Sequence, residues 1–261
     1  MKVRKMCLVL AVLMFASAFA AGCGQSAAEP TVSPATAEET PVSTEPAAQA
    51  EGKKELPPPP DIDIDSWEYL YAGVVCGVGR YHPSVRNIED QLLDSRVTEA
   101  THAFLDAARA EGYKVWIAVG YRNFEYTSYW FADAMNDYGG SYEAAQVDYI
   151  FPAGCTEHST GLAIDITDEF DLAANYYNMH DETVKDTEVY KWMAEHCAEY
   201  GFIVRYPEGK EDYYVKACYP GHFRYVGVEA AEYIMENGLC FEEFLNLYPE
   251  KKLHVTFGPE A

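Results

Sequence analysis

The chain has 261 residues, a formal net charge of −23 and 49% hydrophobic residues. So acidic a chain is repelled by nucleic acid and by anionic lipid surfaces, which excludes binding modes driven by phosphate neutralisation. The apolar content is enough for a folded core.

Lys2, Arg4 and Lys5 precede an apolar run from Met6 to Ala21. The run is too short for a good membrane span and reads as a secretory signal. It ends in Ala20-Ala-Gly-Cys23, which resembles a bacterial lipobox. Residues 1–22 are therefore expected to be a lipoprotein signal peptide. Cys23 would become the lipidated first residue, tethering the protein to the extracytoplasmic face of a bacterial membrane. Cleavage near Ala21 without lipidation would instead release it. Residues 23–60 are rich in Ala, Glu, Thr, Ser and Pro and end in Pro57-Pro-Pro-Pro60. Such a composition buries too little apolar surface to offset chain entropy, so a disordered stalk is expected, stiffened by its prolines. Residues 61–261 form the expected domain.

Within it, Ser95 to Glu111 carries apolar residues at helical spacing, with Ser95 as the expected N-cap and Gly112 just past the end. Val115 to Val119 reads as a buried strand, Phe124 to Met135 as a helix and Leu162 to Ile166 as a strand. Val189 to Tyr200 reads as a helix closed by Gly201, followed by a strand from Phe202 to Tyr206. A strand from His222 to Val226 and a helix from Val228 to Glu236, stopped by Asn237-Gly238, complete the pattern. Short strands segregated from helices indicate an α+β fold with a small antiparallel sheet.

Chemistry concentrates in Cys155-Thr-Glu-His-Ser-Thr-Gly-Leu-Ala-Ile-Asp165 and in His222-Phe-Arg-Tyr225. Two imidazoles, His158 and His222, with the carboxylate of Asp165 can hold Zn²⁺ and leave a fourth position open. Gly161 predicts a tight turn into a strand that swings His158 and Asp165 toward one point. Arg122, after an apolar strand, is placed to supply a fixed cation for a carboxylate or an oxyanion. Arg205 and Arg224 alternate with apolar or aromatic residues and are expected to form structural ion pairs. His82, His102, His180, His196 and His254 have no assigned role.

The segment Thr156 to Asp165 resembles the Ser-x-His-x-x-Gly-x-x-x-Asp signature of the VanY-type D-alanyl-D-alanine carboxypeptidases. These belong to the LAS zinc metallopeptidases, with the lysostaphin-type enzymes and the hedgehog domain. Val119-Gly-Tyr-Arg-Asn123, Tyr200-Gly-Phe-Ile-Val-Arg-Tyr-Pro207, Gly209-Lys-Glu211 and His222-Phe-Arg-Tyr-Val-Gly227 match further family segments in order, over most of residues 90 to 230. The resemblance implies a LAS/hedgehog-like fold, with His158, Asp165 and His222 as Zn²⁺ ligands. It also implies Arg122 facing substrate, Thr156 in place of the motif's serine, and a peptidoglycan stem peptide as substrate.

One departure bears on activity. The family places Glu-Pro-Trp before the last ligand, and that Glu is its general base; here Tyr219-Pro220-Gly221 precedes His222. A phenol of pKa about 10 is a poor base at neutral pH, and losing a positioned base costs roughly 10²–10⁴-fold. Tyr219 can instead donate a hydrogen bond to a developing oxyanion. Glu211 or Asp212 folding back is the other route to a carboxylate. The alternative function is a non-catalytic, metal-retaining lipoprotein that binds cell-wall peptides; a structural envelope lipoprotein with a vestigial motif is a third.

Cys76, Cys155, Cys197, Cys218 and Cys240 remain after Cys7 and Cys23, an odd count for an extracytoplasmic domain. Cys155 and Cys218 each precede a ligand closely. A Cys155–Cys218 disulfide or two extra soft ligands are the expected alternatives.

Overall fold

A computed structural model of the chain describes residues 55–73, 76–142, 151–168, 182–210, 213–214 and 219–249. The signal peptide and nearly all of the expected stalk lie outside these residues. The last prolines before the domain lie along it: Tyr233 Oη donates to the Pro57 carbonyl at 2.6 Å and Tyr248 Oη to the Pro60 carbonyl at 2.7 Å.

After a 3₁₀ turn, Trp67–Tyr69, the first strands form a hairpin, β1 (Val85–Ile88) and β2 (Gln91–Asp94), paired antiparallel. Glu89 and Asp90 form its two-residue turn, both with positive φ, 51° and 67°. Two left-handed turn residues match the twist of the flanking strands. Helix α1 (Thr98–Ala110) follows and presents Phe104, Leu105 and Ala108 to the core. It begins later than the apolar spacing predicts. Ser95 is not its cap: the residue preceding the helix is Val97, and the Ser95 carbonyl accepts from Thr98 Oγ1 at 3.0 Å. A short loop leads to β3 (Trp116–Val119), and Asn123 caps α2 (Phe124–Asp137) by accepting from the Tyr126 N–H at 2.8 Å.

The remaining described strands and α-helices are β4 (Ala163–Thr167), α3 (Glu188–His196), β5 (Phe202–Val204), β6 (His222–Tyr225), α4 (Val228–Glu236) and the one-turn α5 (Phe241–Leu245). Strands β3, β4, β6 and β5 form an antiparallel sheet in that order. The expected helix from Val189 to Tyr200 divides into α3 and a 3₁₀ turn, Cys197–Tyr200, which Gly201 closes at φ +81°.

The sheet is buried on both faces, so its side chains sort by parity. Ile164, Phe202, Val204 and Phe223 join the cluster formed with α1 and α3, where Phe104 packs 5.4 Å from Phe202 and 5.6 Å from Phe223. Ile203 points the other way, into the cluster formed by α4 and α5 with Ile64, Tyr69 and Tyr71. The same parity sends Asp165, His222 and Arg224 to the face opposite α1. Residues Asp165 and His222 are direct cross-strand partners, and that register places the two side chains together.

Candidate metal centre

His158 sits on a 3₁₀ turn, Glu157–Thr160, and not on the sheet. Thr160 Oγ1 donates to the Glu157 carbonyl at 2.6 Å and accepts from the Leu162 N–H at 3.0 Å, which closes the turn locally. Gly161 ends it at φ +76°, as the glycine before the strand predicts. A Cβ there would lie 3.0 Å from the Asp94 amide. Gly161→Ala is therefore expected to cost about 1–3 kcal/mol and to weaken metal binding along with stability. Thermal melts with and without zinc test this; an unchanged Tm would refute it.

The three expected ligands converge. His222 Nδ1 lies 2.7 Å from Asp165 Oδ1 and His158 Nε2 lies 3.2 Å from Asp165 Oδ2. Their ligand atoms all fall within 4.8 Å of one another, and the side chains are nearly inaccessible, at 5%, 3% and 3% exposure for His158, Asp165 and His222. Ligands about 2 Å from a tetrahedral Zn²⁺ stand roughly 3.3 Å apart, so the trio needs little adjustment to hold the ion. Burial pushes the Asp165 carboxyl up, but the two imidazoles beside it hold it well below the usual carboxylate range. Burial lowers the pKa of His158, and the neighbouring His222 and Arg122 charges lower it further. Asp165 is thus held as the carboxylate that ligation requires; at His222 burial is outweighed by Asp165 and Glu157, which raise its pKa, so a metal bound there displaces a proton that these carboxylates favour.

Glu157 is the functional candidate that reading the motif missed. Adjacent to His158 but on the opposite side of the turn, it is 1% exposed. Its Oε1 accepts from Arg205 Nε at 2.8 Å and Arg224 Nη1 at 2.9 Å, while Oε2 lies 3.5 Å from His222 Nε2. Burial opposes ionisation of Glu157, yet Arg205, Arg224 and His222 hold its pKa far below the usual range. Arg205 is also forked onto Glu242 at 2.5 and 2.9 Å. Arg205 and Arg224 are thus the structural ion pairs their alternation predicts. The signal for Glu157 was a carboxylate beside a ligand, followed downstream by two strand arginines.

The Arg122 N–H donates to the His158 carbonyl at 3.0 Å, which fixes Arg122 beside the trio. Its guanidinium stands 5.7 Å from the Tyr126 ring. The bulge in β3 opposite Asp165 turns the chain toward this position. Thr156 is half-buried just before the turn, and its carbonyl accepts from the Ser159 N–H at 3.0 Å. Tyr219 is buried, its ring 5.4 Å from that of His222 and stacked at 6.5 Å on Tyr206. Glu211, Asp212 and Cys218 lie outside the described residues. Cys155 is not a member of the ligand cluster.

The antiparallel sheet, with the buried His, Asp and His trio gathered at it, defines an α+β domain with a candidate metal site. The family described as VanY D-alanyl-D-alanine carboxypeptidase matches residues 90–228, more than half of the chain, and the chain belongs to that family. A D-alanyl-D-alanine carboxypeptidase of Enterococcus faecalis is 35% identical over 160 residues, 59% of this chain and 56% of that relative. The chain thus spans little more than half the length of this curated relative. A solved mutant of the vancomycin-resistance D,D-pentapeptidase VanY, from a VanB-type cassette, in complex with Zn(II), superposes with a TM-score of 0.58 at 30% identity. That match covers 69% of this chain and 100% of the other. The LD-carboxypeptidase LdcB gives a TM-score of 0.53 at 32% identity, covering 65% of this chain and 76% of its own.

Proposed function

We propose that this protein is a zinc-dependent carboxypeptidase that removes D-alanine from peptidoglycan stem peptides, working at the outer face of a bacterial membrane through a lipidated Cys23. The buried convergence of His158, Asp165 and His222 beside Arg122 carries this reading. Zinc held there would supply a Lewis acid for the scissile carbonyl and acidify a water molecule.

The chain's own residues do the rest. Arg122, whose backbone is anchored on the His158 carbonyl, offers its guanidinium to the substrate's terminal carboxylate. Thr156 provides a hydroxyl at the mouth of the turn for the peptide backbone. Tyr219, as a protonated phenol close to His222, donates a hydrogen bond to the oxygen that gains charge as the peptide bond opens. Glu157 cannot take the missing base's place: its carboxylate lies on the Nε2 side of His222, away from Asp165, and is engaged by two arginines.

Tyr219 also supports a second reading, a metal-retaining protein that binds cell-wall peptides without turnover. The experiment that separates the two uses the full chain loaded with zinc and follows D-alanine release by mass spectrometry. Stem pentapeptide and tetrapeptide are both offered, because the similar structures include a D,D- and an L,D-enzyme. Release that disappears in His158→Ala is expected. A folded, zinc-loaded protein that releases none from either peptide would leave only the binding reading.

A further inference from the structure

Cys155 does not reach toward the metal ligands. It packs against the segment that contains Cys76. Gly73 and Cys76 face each other across a narrow reversal: the Gly73 N–H donates to the Cys76 carbonyl at 2.9 Å, and the Cys76 N–H returns a bond at 3.3 Å. Two residues on, the Val78 N–H donates to the Gly154 carbonyl at 2.8 Å. A Cβ on Gly77 would lie 3.0 Å from Cys155 Sγ, and one on Gly154 would lie 2.8 Å from the Gly79 carbonyl oxygen. Glycines on both sides thus let the two backbones touch and bring the Cys155 sulfur against the residue next to Cys76.

We propose that Cys76 and Cys155 form a disulfide that straps residues 76–79 to the loop leading into the His158 turn. Both are free thiols here, as are Cys197 and Cys240. The last two are fully buried, and Cys197 Sγ is engaged by the Ala194 carbonyl at 3.4 Å. Burial raises the pKa of Cys155, and the charge of Cys76 raises it further. Cys76 is exposed and Cys155 half-buried, which sets the order of events.

The oxidant is a small-molecule or protein disulfide. The Cys76 thiolate attacks one of its sulfurs, forming a mixed disulfide and expelling one thiolate. Cys155, having lost its proton to solvent, then attacks the Cys76 sulfur, forms the Sγ–Sγ bond and expels the second thiolate. Two protein thiols are oxidised and one external disulfide is reduced to two thiols. That such an oxidant is met in the cell rests on the extracytoplasmic location proposed above.

The test uses the full chain, purified reduced, incubated with oxidised glutathione, alkylated without reductant, digested and mapped by mass spectrometry. A Cys76 peptide linked to a Cys155 peptide is expected, with Cys197 and Cys240 alkylated only after denaturation. Reduction should lower Tm by about 5–10 °C, since the bond closes a loop of about 80 residues. Cys76→Ser should start at the lower Tm and be insensitive to reductant. Alkylation of both cysteines after oxidation, or a link from either to Cys218, would overturn the proposal. So would a second zinc equivalent held by the thiols. The peptide map is read on the unmutated chain, so a misfolded variant does not affect it. A linked pair in a protein that releases no D-alanine would leave the disulfide standing and count only against the peptidase reading.

Discussion

Replacing Glu157 with alanine is expected to weaken zinc binding by about 10–100-fold and to destabilise the fold by roughly 3–5 kcal/mol. The second figure corresponds to a fall in Tm of about 10 °C for a domain of this size. Arg205, Arg224, Glu157 and Glu242 form a buried group with two positive and two negative charges. Removing Glu157 leaves an unbalanced positive charge. Arg205 keeps Glu242, but Arg224 keeps no carboxylate, resting on the backbone carbonyls of Glu68, Leu70 and Tyr225 at 2.7–3.0 Å and over the Phe241 ring. His222 loses the carboxylate that faces its Nε2 while Nδ1 faces Asp165. The ring's orientation and the charge felt by an incoming cation therefore both worsen. Glu157→Gln keeps the shape without the charge and should fall between wild type and alanine. Competition against a chromophoric chelator reads the affinity and thermal unfolding reads the stability. An alanine variant whose zinc Kd stays within about twofold of wild type would show that Glu157 is a packing residue and does not position His222.

Tyr219→Phe is expected to lower kcat by roughly 10²–10³-fold with little change in KM, the signature of a donor used only in the transition state. The phenyl ring fills the same slot against Tyr206 and His222, so the fold should tolerate it; only the hydroxyl is lost. Single-turnover D-alanine release on zinc-loaded protein measures the effect. Tyr219→Glu is the companion variant, since it puts a carboxylate at the position where the resemblance to the family implies a base. If Tyr219→Phe matches wild type and turnover appears only in Tyr219→Glu, the hydroxyl has no catalytic part and the protein binds its peptide without cleaving it.

The turn and strands of the centre were legible from local pattern, and its ligand set from the resemblance to the family's motif. The His158 and Asp165 spacing, the turn at Gly161 and the strand at His222 are short-range signals, and all reappear in the fold. Helix α4 ends where Asn237-Gly238 predicts. Other elements had no such signal. The β1–β2 hairpin turns on Glu89-Asp90, which lacks the glycine that usually marks a two-residue turn. A single turn of helix such as α5 is too short to show periodicity. Ser95 carries the cap residue type, but its neighbour Arg96 pairs with Asp94 at 2.5 Å, and the helix starts after both.

By itself, the sequence determined which His and Asp residues are available near one another along the chain, where the chain turns around them and that Tyr219-Pro220-Gly221 precedes His222. Only the tertiary structure decided that Asp165 and His222 share one face through direct cross-strand register. It also decided that Glu157 belongs to Arg205, Arg224 and His222, and that Cys155 packs against Gly77, the residue next to Cys76. Turns and helix ends depend on neighbours a few residues away, whereas these pairings join segments about 50–80 residues apart. Their geometry follows from sheet register and layer packing, in which a one-residue slip of β4 or β6 would send Asp165 or His222 to the other face.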